Sequence, residues 1–234
     1  MESMQENSPA RDALAKNFLR ETYRNHRATP YPRKLAAYLA KRYGINSGAR
    51  LLDVGCGRGE FLEGFSILGV DAVGVDQGDG SSFFSDAHYV SADISQGLPF
   101  PDNTFDFVFN KSVLEHFYFP ENLVLEMRRV LKEGGVVISM TPSWVHNQPG
   151  FFVDFTHRTP FTLESIVDIH RIAGFESVQA EYFTQLPTVW HAKYLRILTF
   201  LVRYLAPRYL SRFSKVVRFS KELMLLSTAR KAPR

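Results

Sequence analysis

Three glycines alternate through Gly55-Cys56-Gly57-Arg58-Gly59, and a carboxylate, Asp53, stands two residues upstream. Glycines in that rhythm free the backbone to take positive φ and let a ligand come close to the main chain. A dinucleotide fingerprint would place its third glycine at position 60, where this chain has Glu60. Asp53 would oppose a pyrophosphate and would suit a cofactor carrying an ammonium and a sulfonium. Farther on, Val73-Gly74-Val75-Asp76 ends in a second acid, well placed for a ribose diol. The segment Val153 to Thr162 holds an acid, an imidazole and a guanidinium close together: Asp154, His157 and Arg158. Such a trio can move a proton and hold an anion. It also fits a loop stapled by Asp154, with His157 capping the helix that Thr162 opens. A second histidine, His116, follows Leu114-Glu115. No His/Cys/carboxylate cluster has metal-ligand spacing along the chain, so no metal site is expected.

These residues need elements to position them. Leu51 to Val54 has the composition of a buried strand and runs into the glycines, and an apolar-periodic stretch begins at Phe61, which predicts strand, tight turn and helix. The first helical N–H groups then point at whatever lies over the turn. The alternation continues: strands at 50–54, 72–76, a short one ending at Asp93, 105–109, 136–141 and 175–183, with helices at 59–68, through Leu114, at 121–131 and at 162–173. Residues between strand 136–141 and Thr162 read as a long loop. The pattern predicts an α/β chain with a doubly wound, mostly parallel sheet, and ligands in such sheets bind at the carboxyl ends of the strands. The glycine loop, Asp76, Asp93 and Asn110 all fall at such ends.

The chain of 234 residues is 45% hydrophobic, enough for a sizeable core. One cysteine, Cys56, excludes an internal disulfide framework and suits a reducing, cytoplasmic setting. No apolar run is long enough for a transmembrane helix, and the polar start has no signal-peptide character. The net charge of +4 is unevenly spread. Residues 1–48 hold nine Lys/Arg and four acids, residues 49–186 eight and nineteen, and residues 187–234 eleven and one. An acidic core thus carries two basic ends, which would meet something anionic or would only solubilise the chain. From Pro187, Tyr194, Ile197, Leu198, Leu201 and Leu205 recur at helical spacing with Lys193, Arg196 and Arg203 opposed, and a second basic helix follows Pro207. A run from Glu222 to Ala229 reads as a last strand. The expected divisions are therefore N-terminal helices over 1–48, a core over 49–186, a basic helical insertion over 187–220 and the last strand with its tail over 221–234. The insertion, with Trp190, Tyr194 and Tyr204, would lie on a membrane surface at its inner face, or would cap the site or form a subunit contact. No recognisable nucleic-acid motif accompanies the basic ends, and the oligomeric state is not legible.

Leu51-Leu52-Asp53-Val54-Gly55-Cys56-Gly57-Arg58-Gly59 closely resembles the first motif of the class I S-adenosylmethionine-dependent methyltransferases. Gly74-Val75-Asp76, Asp93-Ile94, Phe105-Asp106 with Leu114-Glu115-His116, and Leu131-Lys132-Glu133-Gly134-Gly135 resemble the later motifs in order. The resemblance implies a Rossmann-like sheet of seven strands, the last antiparallel. It implies S-adenosylmethionine as cofactor: Gly55 and Gly57 against its methionine part, Asp53 near the cationic end, Asp76 with Gln77 at the ribose, Asp93 and Ile94 at the adenine, and Asn110 with Lys111 at the methionine carboxylate or amino group. Cys56 fills a slot in which the family often has cysteine and is expected to pack, not to act as a nucleophile. In related enzymes the segment before the first strand often forms a lid, which makes Tyr23, His26 and Arg27 lid candidates. Residues 154–162 also resemble a segment of methyltransferases from bacterial polysaccharide and O-antigen biosynthesis, with Phe155 in place of a proline and Arg158 directly after His157. That resemblance implies an O-methyltransferase with His157 or His116 as general base and Asp154 orienting His157 or accepting from a sugar hydroxyl. Arg158 would contact an anionic sugar or glycan acceptor, and Trp144 with His146 would form a stacking wall. On the same fold, a secondary metabolite or quinone precursor would instead need an apolar pocket and no Arg158. A non-catalytic S-adenosylmethionine-binding module recruited by its basic helices is the third alternative.

Overall fold

A computed structural model of the chain describes residues 29–78, 88–192 and 194–233. Its elements, in order, are α1 (Tyr31–Tyr43), β1 (Arg50–Val54), α2 (Glu60–Ser66), β2 (Asp71–Asp76), β3 (Tyr89–Ser91), β4 (Phe105–Lys111), a 3-10 turn (Leu114–His116), α3 (Pro120–Val130) and β5 (Leu131–Pro142). Then come α4 (Trp144–Phe151), α5 (Leu163–Ile172), β6 (Phe175–Phe183), α6 (Pro187–His191), α7 (Leu195–Leu205), a second 3-10 turn (Arg208–Arg212), α8 (Lys215–Lys221) and β7 (Met224–Lys231). The seven strands form one sheet in the order β3-β2-β1-β4-β5-β7-β6. β1 to β5 pair in parallel, and β7 runs antiparallel to both β5 and β6. This is the doubly wound, Rossmann-like arrangement that the alternation predicts.

The strands are apolar on both faces because helices cover both. Leu51 and Leu52 are adjacent in β1 and point to opposite sides. Leu52, Val108, Leu123, Met127 and Ile166 share one buried cluster on the α3 and α5 side. Leu51, Leu35, Leu39, Phe65 and Phe109 share the other, under α1 and α2. Helix α1 is stopped by Gly44, whose φ of 71° gives a left-handed cap. Helix α5 opens with a reciprocal capping box: Ser165 N–H donates to Thr162 Oγ1 and Thr162 N–H donates to Ser165 Oγ. The helix cap therefore needs no help from His157.

The sequence reading changes in several places: the third strand ends at Ser91 and not at Asp93, the helix expected through Leu114 is a 3-10 turn, and three larger differences follow. The stretch read as a long loop contains α4, whose N-terminus is tied to the sheet: Trp144 N–H donates to the Phe161 carbonyl, and Asn147 Nδ2 donates to the carbonyls of Ser143 and Leu223. Helix α2 stops at Ser66, short of the expected position 68, because Ser66 Oγ bonds back to the Leu62 carbonyl and the chain turns through Gly69. Trp190, read as a membrane-interface residue, is 9% exposed and packs among Tyr31, Tyr38 and Phe183, with Nε1 donating to the Thr184 carbonyl.

The glycine loop is held by close contact with the segment that follows β4. Gly55 has a φ of 69°, and a Cβ there would come within 2.4 Å of Val113 Cγ2. Gly55→Ala should lower the unfolding free energy by about 1–3 kcal/mol, from backbone strain plus the clash. Urea denaturation measures this, and Val113→Ala added to the same chain should recover the steric part only.

Candidate active site

The loop Gly55 to Gly59 leaves the carboxyl end of β1 and is folded by its neighbours. Gly55 N–H and Cys56 N–H both donate to the Val75 carbonyl of β2, and Gly59 N–H donates to the Cys56 carbonyl. Gly57 and Gly59 also take positive φ, 54° and 72°. Asp76 closes the loop from the next strand. Its Oδ2 accepts from Gly57 N–H at 2.8 Å and its Oδ1 from Gly78 N–H at 3.2 Å. A carboxylate offers about four acceptor sites, so Asp76 can hold the loop and still accept from two hydroxyls.

Asp53 is 2% exposed, and its Oδ2 has no hydrogen-bond partner. Burial, and then the nearby Asp76 carboxylate, push its pKa well up, opposed by the Leu62 N–H bond. A buried carboxyl with one oxygen unpartnered, beside a second carboxylate and a glycine cradle, suits a ligand with positive charge. These residues fit the cofactor that the motif implies. Cys56 is buried, and burial together with the two acids raises its thiol pKa, so it stays a neutral thiol. A Cβ on Gly74 would come within 2.7 Å of its Sγ, which marks Cys56 as a packing residue.

The remaining expected cofactor contacts are placed as follows. Gln77 is exposed beside the loop. Asp93 accepts from Ser95 N–H at 2.9 Å, and Ile94 is 5% exposed within the core. Asn110 is fully buried, with Nδ2 donating to Ser139 Oγ at 2.7 Å and Met127 Sδ at 3.3 Å. Its amide nitrogen therefore faces the sheet interior. Lys111 Nζ lies 5.6 Å from the Phe61 ring, at the start of α2. Burial lowers its pKa, and Glu115 opposes that.

Beyond Val113, the Leu114–His116 turn meets the segment after α4. His116 Nδ1 lies 2.8 Å from Thr156 Oγ1, and Thr156 Oγ1 donates to Asp154 Oδ1 at 2.6 Å. Because the threonine proton goes to the carboxylate, His116 must donate from Nδ1, leaving Nε2 bare. His157 Nδ1 lies 2.6 Å from the Phe151 carbonyl, which can only accept, so the neutral form of this ring also has a bare Nε2. The two rings pack edge to face with centroids 4.8 Å apart. Asp154 was expected to orient His157, but the arrangement differs. Asp154 Oδ2 is 4.0 Å from His157 Nε2, and its hydrogen bonds serve Thr156 and hence His116. Burial alone would raise the Asp154 pKa; the Thr156 bonds and both imidazoles bring it below the ordinary value. Burial, and then His157, lower the pKa of His116.

Glu115 was read only as part of a motif. It is fully buried, accepts from Thr141 Oγ1 at 3.0 Å through Oε2, and leaves Oε1 without a partner. Burial raises its pKa to about 7 against the Thr141 bond and Lys111. Its one sequence signal was an acid inside the apolar stretch Val113 to Phe117. Ligand spacing along the chain pointed to no metal site, yet the fold brings Glu115, His116 and His157 together from two distant segments. One ligand atom of each lies within 4.8 Å of the others.

The acceptor side differs from the sequence reading in two ways. Trp144 packs on Phe151 and Phe152, whereas the His146 ring lies 4.6 Å from Tyr182, so the two form no common wall. Arg158 bonds the Phe155 and His157 carbonyls through Nη1 and stacks at 5.3 Å on Tyr118. In the two segments that meet there, Tyr118, Phe119, Phe152, Val153 and Phe155 are all more than half exposed. Tyr23, His26 and Arg27 lie outside the described residues.

The comparisons with known proteins agree with this geometry. The profile of the methyltransferase domain family matches residues 23–180. A Mycolicibacterium smegmatis protein named as an S-adenosylmethionine-dependent methyltransferase is 29% identical over 136 residues, 56% of this chain and 53% of that protein. The ubiquinone biosynthesis O-methyltransferase of Roseobacter denitrificans is 26% identical over 170 residues, 62% of this chain and 67% of the relative. This chain thus spans about half the length of the first relative and two thirds of the second. Among solved structures, an S-adenosylmethionine-dependent methyltransferase of Archaeoglobus fulgidus superposes with a TM-score of 0.63 at 22% identity, covering 92% of this chain and 99% of that one. A Haemonchus contortus phosphoethanolamine N-methyltransferase bound to S-adenosyl-L-methionine superposes with a TM-score of 0.62 at 20% identity, over 95% of this chain and 57% of the other. With the family profile matched across most of its length, the chain belongs to the methyltransferase domain family.

Proposed function

We propose that this chain transfers a methyl group from S-adenosylmethionine to a hydroxyl, with His157 as the base. The observation that carries this reading is the pair of packed imidazoles whose Nδ1 atoms are both engaged, leaving Nε2 free to take a proton, in a segment joined to the glycine loop through the Gly55–Val113 contact. When bound, S-adenosylmethionine supplies a methyl group on a cationic sulfur, open to in-line displacement by an oxygen. Asp53, Gly55, Gly57 and Asp76 would hold it. A hydroxyl is a weak nucleophile until its proton is removed, and His157 Nε2 can take that proton. The imidazolium so formed keeps its Nδ1–H bond to the Phe151 carbonyl and gains the field of Asp154 at 4.0 Å. His116, neutral because it is buried, positions the acceptor from the other side. Exclusion of water by Val113, Phe151 and the sheet makes alignment the chain's main further contribution.

The acceptor expected from residues 154–162 was a glycan, sugar nucleotide or sugar phosphate, and Arg158 is the residue that supports it. Part of that guanidinium is spent on local carbonyls, and exposed apolar side chains flank it along the chain. This favours a hydroxyl on a largely apolar body, of quinone-precursor type, as the name of the Roseobacter denitrificans relative also suggests. Competition between a hydroxylated aromatic and a sugar phosphate in one methyl-transfer assay would separate the two acceptors.

Asp76→Ala should weaken S-adenosylmethionine binding at least about tenfold, since a charged acceptor is lost; calorimetric titration checks this, and unchanged affinity would remove the cofactor assignment. His157→Ala should lower kcat about 10²- to 10⁴-fold with cofactor affinity kept. If turnover survives in that variant and vanishes in His116→Ala, the base is His116. Loss of activity on chelation, restored by a divalent ion, would instead make these residues metal ligands.

Glu115 makes a pH prediction. Its carboxyl pKa is higher in the fold, about 7, than its ordinary value of 4.5. The unfolded chain therefore releases this proton first, and the stability linked to it is present below about pH 4.5 and lost as the pH rises through about 7. The loss amounts to ~3 kcal/mol at most. In Glu115→Gln the fall in melting temperature between pH 5 and 8 should be reduced.

A further inference from the structure

Helix α7 is built inside out. Its one buried residue is a threonine, Thr199, at 5% exposure, and Thr199 Oγ1 donates to the Arg196 carbonyl. The apolar residues point the other way. Ile197 is 67% exposed, Leu198 54%, Leu201 46%, Tyr204 67% and Leu205 76%. They recur at helical spacing and form one continuous stripe. Polar links fasten the helix by its inner side: Arg203 Nε donates to the Ser220 carbonyl at 2.8 Å, and Lys221 Nζ donates to the Arg203 carbonyl. The next elements extend the same character, with Tyr209, Phe213 and Val216 at 64%, 83% and 50% exposure. Isolated exposed apolar residues are ordinary, but a contiguous set of this kind on one module marks a binding surface.

Charge identifies the occupant. From Pro187 to Lys221 the sequence has eight Lys/Arg and no Asp or Glu. Arg196, Arg208, Arg212, Lys215 and Arg218 are exposed on the module that carries the apolar stripe. A second copy of this chain would bring like charges together across such a face. A nucleic acid would satisfy the cations and leave Ile197, Leu201 and Leu205 against water or phosphate. An anionic bilayer satisfies both, with hydrocarbon for the stripe and lipid phosphates for the cations. No helix among the described residues is long and apolar enough to cross a membrane. We propose that α7, the Arg208–Arg212 turn and α8 form a peripheral docking surface for an anionic lipid bilayer, lying in the headgroup layer. The proposal does not depend on the methyl-transfer reaction. It does have a geometric link to the site, because α4 carries His146 against Tyr182 on the insertion side and supplies the Phe151 carbonyl that holds His157.

The test is co-sedimentation of the full chain with phosphatidylglycerol-containing and pure phosphatidylcholine vesicles. Two variants are compared, Ile197→Ser/Leu201→Ser/Leu205→Ser and Arg208→Glu/Arg212→Glu, all at exposed positions that should leave folding unchanged by circular dichroism. The expected result is binding to anionic vesicles only, weakened more than tenfold by either variant and by high salt. The idea is overturned if the chain ignores anionic vesicles or binds neutral ones equally. It is also overturned if both variants bind as the parent does, or if light scattering shows a dimer that the apolar variant dissolves while vesicle binding is absent.

Discussion

Val113 occupies the space in which any other residue at Gly55 would put its side chain. That contact ties the loop after β1 to the segment after β4, and both carry candidate chemistry. Asp53, the glycines and Asp76 lie on one side of it. Lys111, Glu115 and His116 lie on the other. Because a Cβ at Gly55 would run into Val113, and its φ is positive, that position is restricted to glycine, and the cofactor loop and the turn that carries His116 meet at one contact.

The site also concentrates groups that a stable protein would avoid. Asp53 and Glu115 each bury a carboxyl oxygen without a partner, and both have raised pKa values. Asn110 leaves its Oδ1 in the same condition. Unpartnered buried polar atoms cost about 1–3 kcal/mol each. Their position at the ends of β1 and β4 and in the turn just beyond β4, where sheets of this kind meet their ligands, is what a site pre-formed for polar and charged partners requires. The surrounding apolar clusters on both sheet faces offset that cost.

Most of the fold was legible because its signals are local. The strand, glycine loop and helix around Asp53, the acids at strand ends and the alternation of elements are all written in short windows. What escaped was decided by partners far apart in sequence. Helix α4 has a proline and a glycine near its end and little apolar periodicity; its hydrogen bonds to Phe161 and Leu223 fix it in place. Trp190 looked interfacial by type, but its partners are Tyr31, Tyr38 and Phe183. Asp154 and His157 are close in the chain and read as a pair, whereas the threonine between them diverts the carboxylate to His116. Glu115 was hidden because one acid in an apolar run looks like a surface residue until the fold buries it.

Strand β7 is last in chain order yet lies inside the sheet, between β5 and β6. Until it is made, β5 has a bare edge on that side and β6 has no partner in the sheet. The basic amphipathic module is synthesised before the strand that closes this gap. During folding the chain therefore presents two open β-edges next to an apolar helical surface, a combination prone to intermolecular pairing. The insertion's place in the chain therefore bears on the order in which the sheet is assembled.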